Sequence, residues 1–152
     1  MLNNLKNYIT ILSKFLTTTF FILLILTVLL QVFSRFFLLQ APPWTEELSR
    51  FFFIYSVSFS CGLCVLENSY ISINLIIKKF SNQNQFLIQK FIQFSILIFM
   101  ILIQFQSIKF LQVGSLQTSP SLGINMLWFY FPIFIIPLSI MCFYIFQLFR
   151  KI

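Results

Sequence analysis

Three carboxylates and three thiols are the side chains in this 152-residue chain best suited to nucleophilic or acid–base chemistry. Glu46 and Glu47 sit side by side in "APPWTEELSRFFF", and Glu67 follows after an apolar run. Paired carboxylates can divide acid–base work, but only with a reacting group or a helper in reach. The chain has no histidine. That removes the commonest general base, the commonest metal ligand and the usual haem ligand together. Cys61 and Cys64 have C-x-x-C spacing in "CGLC", and Cys142 is remote from them. A redox pair needs an accessible, polarised thiolate; all three cysteines lie inside apolar runs, where they are expected to act as small packing residues. No catalytic, cofactor-binding or metal-binding residue is assigned, and the chain is not read as an enzyme.

The elements that position these groups follow from composition. Hydrophobic residues make up 59%, charged residues 9%, and the mean hydropathy is +0.95. Soluble domains carry about a quarter charged residues, so this chain is built for lipid. Phe occurs 23 times; the excess has the look of codon bias in an AT-rich genome and is not taken as an aromatic binding surface. The net charge of +7 comes from ten Lys and Arg. They punctuate apolar runs instead of gathering on one polar face, which argues against nucleic acid as a partner.

A hydrocarbon core of about 30 Å needs about 20 helical residues, with every backbone group satisfied internally. Four segments meet this, giving an all-α integral membrane fold in one domain, residues 1–152, with transmembrane helices at about 14–36, 47–68, 88–109 and 125–149. The first apolar run exceeds the ~7–15 residues of a signal peptide and no A-x-A-like site follows it, so a retained helix is expected. Lys6, Lys14, Lys78, Lys79, Lys90, Arg150 and Lys151 fall on one side; Arg35, Arg50 and Lys109 fall on the other. The positive-inside rule then places both termini in the cytoplasm.

The connections carry their own signals. In "ISINLIIKKF", Ile73, Ile76, Ile77 and Phe80 recur at helical spacing, which fits either an interfacial helix on the inner leaflet or a frayed continuation of the second helix. Gly114, Pro120 and Gly123 mark turns between the third and fourth helices. Pro132 and Pro137 fall inside the fourth, where a kink is expected; prolines are tolerated in membrane helices when neighbours satisfy the freed carbonyls. Trp128 and Tyr130 suit an interfacial aromatic belt. Thr17, Thr18, Thr19, Gln31, Gln93, Gln104, Gln106, Ser56, Ser58 and Ser60 can hydrogen-bond between helices, and Gly62 permits close approach. Charged residues keep to segment ends, which argues against an independent pump.

The acidic pair has a structural account. Pro42 and Pro43 suit the first turn of a helix, where the macrodipole favours Glu46 and Glu47. Glu46 and Arg50 stand at i, i+4 in the favourable order, worth about 0.2–0.5 kcal/mol when exposed. Helix physics explains the position of the carboxylates but does not call for two of them, and a partner-docking role is the competing expectation.

The stretch "FSRFFLLQAPPWTEELSRFFFIYSVSFSCGLCVLENSYISINLI" resembles the DctQ-type small membrane subunit of TRAP (tripartite ATP-independent periplasmic) transporters, through Pro43, Trp44, Glu46, Glu47 and Arg50. "QTSPSLGINMLWFYFPIFIIP" is similar to that family's entry into its last helix, through Ser119, Pro120, Leu122, Gly123 and Tyr130. Tyr70 stands where the family often has His, and Asn74 where it often has Asp. The resemblance implies a non-catalytic small permease subunit of a sodium-coupled carrier of organic acids, in the bacterial inner membrane. It would act as scaffold for a large multi-span permease subunit, within membrane lipid, and help to dock a periplasmic substrate-binding protein. Pro43, Trp44, Glu46, Glu47, Arg50, Glu67, Tyr70, Asn74, Pro120 and Gly123 are then the candidate interface or structural residues. The alternative is a self-contained oligomeric transporter or channel lined by Gln31, Gln104 and the serine-rich second helix; a redox subunit using Cys61 and Cys64 is a third.

Overall fold

A computed structural model describes residues 2–38, 42–66 and 82–150. Four helices account for nearly all of them: α1 (Leu2–Leu38), α2 (Pro43–Leu66), α3 (Asn82–Ser115) and α4 (Leu127–Arg150). Each is long and apolar enough to cross a membrane. Among the described residues the sole extended feature is an antiparallel bridge between Thr118 and Asn125.

The helices outrun the apolar segments. α1 has 37 residues and α3 has 34, about 55 and 51 Å at 1.5 Å per residue. The sequence contains no Gly or Pro before Pro42, and none between residues 82 and 113, so nothing breaks the backbone where the apolar run ends. α2 starts at Pro43, in keeping with the expectation that the proline pair occupies its first turn. Proline lacks only an N–H that is unpaired in a first turn anyway. The segment 73–80, read above as an interfacial or frayed helix, lies outside the described residues.

α1 packs on α2, α2 on α4, and α3 on α4. The order in cross-section is therefore α1–α2–α4–α3, with α2 and α4 inside and two flanks. Within the spanning windows 28% of α2 and 22% of α4 is buried, against 0% of α1 and 6% of α3. The flanks offer their apolar surface to whatever surrounds the subunit.

Two glycines set how closely the inner helices approach their neighbours. A Cβ on Gly62 would collide with the Phe143 ring and come within 3.2 Å of Ser139 Cβ. Phe143 belongs to the buried cluster with Val65 and Tyr144, on which Ile9, Leu63, Ile96, Leu97 and Ile140 pack. A Cβ on Gly114 would strike Tyr130, closing the α3–α4 contact in the same way. The phenylalanines do structural work at the α1–α2 contact. Phe20 stacks on Tyr55 and Phe59 at ring-centroid distances of 5.1 and 5.9 Å and lies 6.2 Å from Phe52. Phe51 meets Phe129 of α4 edge-on at 5.2 Å.

Pro132 and Pro137 lie inside α4 and are fully buried. Pro132 cannot donate to the carbonyl four residues earlier, that of Trp128. The Tyr55 hydroxyl donates to that oxygen instead, at 2.9 Å, from α2. A neighbouring helix thus supplies the hydrogen bond the proline removes.

Candidate functional site: a carboxylate clasp between α2 and the α3–α4 connection

The site begins with the entry to α2. Thr45 is fully buried, and both its N–H (3.0 Å) and its hydroxyl (2.7 Å) donate to the Pro42 carbonyl. These two hydrogen bonds to one oxygen fix the first turn. Successive residues on a helix point about 100° apart, so Glu46 and Glu47 leave that turn in different directions. Glu46 turns to the surface and accepts from Arg50 Nη2, with the side chains of both largely exposed. Glu47 crosses to the segment between α3 and α4.

That segment folds on itself before Glu47 reaches it. Ser119 N–H donates to Ile124 O at 2.8 Å, Gly123 N–H to Ser119 O at 3.0 Å, and Met126 N–H to Gln117 O at 2.9 Å. Gly123 has φ of +67°, in the left-handed region that glycine enters without a Cβ penalty. Asn125 ties both helix ends: its Nδ2 donates to Ser115 O at 3.0 Å, and its Oδ1 accepts from Leu127 N–H at 2.8 Å, capping α4.

Three donors of this folded loop converge on Glu47. The Ser119 hydroxyl donates to Oε2, the Ser121 N–H to Oε1 at 3.1 Å, and the Leu122 N–H to Oε2 at 3.2 Å. Leu122 N–H also lies 3.2 Å from Ser119 Oγ, so the hydroxyl relays one bond and makes another. All three donors are electrically neutral, and the ion pair at the same turn goes to Glu46.

The candidate residues therefore separate. Glu47 is brought to the turn that contains Pro120 and Gly123, while Glu46 and Arg50 form a surface pair. Trp44, Pro120 and Gly123 are exposed. Glu67, Tyr70 and Asn74 lie outside the described residues. Ser119, Ser121, Asn125 and Tyr55 had no site role in the sequence reading. A serine-rich stretch ending in glycine signals a turn, but not which carboxylate fills it from 72 residues away. The three cysteines are free. Among the described residues no group of three or more His, Cys, Asp or Glu side chains could hold a metal ion.

Four spanning-length helices in the order α1–α2–α4–α3, clasped at one end, define a small multi-pass membrane protein. The family model for the DctQ component of tripartite ATP-independent periplasmic transporters matches residues 24–152, and the chain belongs to that family. It is a small membrane component of a TRAP transporter, a family whose members work with a large permease and a binding protein. No curated protein matches the chain. The matched range begins inside α1 and takes in the whole clasp.

Proposed function

We propose that this subunit is a non-catalytic membrane scaffold for the large permease subunit of a sodium-coupled TRAP carrier of organic acids. It lies in the bacterial inner membrane with both termini in the cytoplasm. The clasp end then faces the periplasm, where the exposed Glu46–Arg50 pair and the turn at Pro120 contribute to docking the binding protein. The observation that carries the reading is how the polar chemistry is used. Glu47, Tyr55 and Asn125 each hold one part of the chain to another, which suits a scaffold better than a solute path. The flanks α1 and α3 present the apolar area that a large membrane partner or lipid would cover.

Co-purification and reconstitution test this. The subunit is expected to come out of detergent with a much larger membrane protein, and uptake in liposomes to require both chains plus the binding protein. Transport by the purified subunit alone would overturn the scaffold reading. With the complex intact, Glu46→Gln is expected to weaken binding-protein docking, and unaltered docking would remove that residue from the interface.

A further inference from the structure

The loop that receives Glu47 has the features of a binding site in its own right. One hydroxyl and two backbone N–H groups, from Ser119, Ser121 and Leu122, point at a single carboxylate. The frame behind them stands on bonds that do not involve Glu47: the Ser119–Ile124 and Met126–Gln117 bonds that make the Thr118–Asn125 bridge, the Gly123–Ser119 bond, and the Asn125 tie to Ser115. Converging backbone N–H groups form an anion-binding concavity, and bonds to an ionised acceptor are the stronger kind. Here the concavity is already occupied, by a side chain of α2.

We propose that residues 119–122 form a carboxylate receptor, filled in cis by Glu47, which will take a small monocarboxylate in trans once the Glu47 side chain is removed. The receptor reads a planar, two-oxygen anion: Ser121 serves one oxygen, and Ser119 and Leu122 serve the other. A neutral amide of the same shape offers one acceptor oxygen and an NH₂ group that faces donors. It fits poorly. A spherical anion such as chloride cannot present two oxygens at the observed spacing. Because the frame is closed by its own bonds, the empty receptor keeps its shape, and what Glu47 contributes is the ligand. This assignment stands whatever the subunit does in transport.

Hydrogen exchange of the intact subunit in detergent tests it, read at the Ser121 and Leu122 amides. Glu47→Ala is expected to speed exchange at both by about tenfold or more, since each N–H loses a bond to an ionised acceptor. Sodium formate is expected to restore at least half of the lost protection in a saturable way. Formamide, and sodium chloride at equal ionic strength, are expected to restore none. Should Glu47→Ala fail to accumulate folded, Glu47→Gly supplies the same empty receptor for formate. Glu47→Gln, whose amide keeps one acceptor oxygen and still fills the receptor, is expected to speed exchange only at the amide that meets its NH₂ group, with no response to formate. Glu46→Gln leaves both amides at the wild-type rate. Wild-type exchange at both amides in the emptied Glu47 variant, or formate acting there no better than chloride or formamide, would overturn the receptor.

Discussion

The inner helices use polar side chains in a way the flanking helix α1 does not. In α1 the hydroxyls of Thr10, Thr18, Thr19 and Thr27 each bond back to a carbonyl of their own helix at 2.8–2.9 Å. Such bonds hide a polar group without needing a neighbour. In α2 and α4 the hydroxyls of Ser49, Ser58, Ser60 and Ser139 bond back as well. Other polar groups there reach across: Tyr55 to the Trp128 carbonyl, Glu47 to the loop, and Ser139 Oγ, besides its own-helix bond, to within 3.3 Å of Ser58 O. Helix association in lipid has no hydrophobic force to draw on, and depends on close packing and interhelical hydrogen bonds. The α2–α4 seam has both. The flanks adhere mainly by shape, through the Phe20 stack on one side and the Gly114–Tyr130 notch on the other.

The contrast can be broken at graded cost. Gly62→Leu should be the most damaging change, because Phe143 is fully buried and has nowhere to move. Overpacking of this kind costs about 1–3 kcal/mol or more, and unfolding in mixed detergent micelles should show it. Tyr55→Phe should follow, at about 1–3 kcal/mol, because the Trp128 carbonyl opposite Pro132 loses its donor. If Tyr55→Phe is neutral, the proline carbonyl does not depend on α2. Asn125→Ala should cost about 1 kcal/mol through the lost α4 cap, with faster exchange at Leu127. At the bottom of the series is Thr17 on the α1 flank, whose hydroxyl is buried without a hydrogen-bond partner. Thr17→Val should leave stability within about 0.5 kcal/mol of wild type or raise it. A large loss there would mean that the flank is held by polar bonds after all.

Local rules carried the sequence reading as far as local rules reach. The four spans, the Pro43 start of α2 and the Glu46–Arg50 pair all follow from periodicity, proline chemistry and i, i+4 spacing. The role of Gly62 as a close-approach residue was legible for the same reason: a small residue in a spanning helix has few other uses. The lengths of α1 and α3 were less so, since a span is read from hydropathy while a helix stops only at a breaker. The clasp was hidden because its halves lie 72 to 75 residues apart, and neither half alone says that the other exists. The Tyr55–Trp128 bond was hidden likewise: Pro132 announced a freed carbonyl, but any neighbouring donor could have answered it. The acidic pair was thus read as one feature, when helical geometry gives its two members separate partners.

That separation is the centre of the account, and disulfide trapping tests it directly. With Cys61, Cys64 and Cys142 replaced by serine, Glu47→Cys and Glu46→Cys are each paired with Ser121→Cys in the intact membrane. Mild oxidation should trap the Glu47→Cys/Ser121→Cys pair readily and leave the Glu46→Cys/Ser121→Cys pair reduced. Equal trapping of the two, or trapping through position 46 alone, would contradict the clasp.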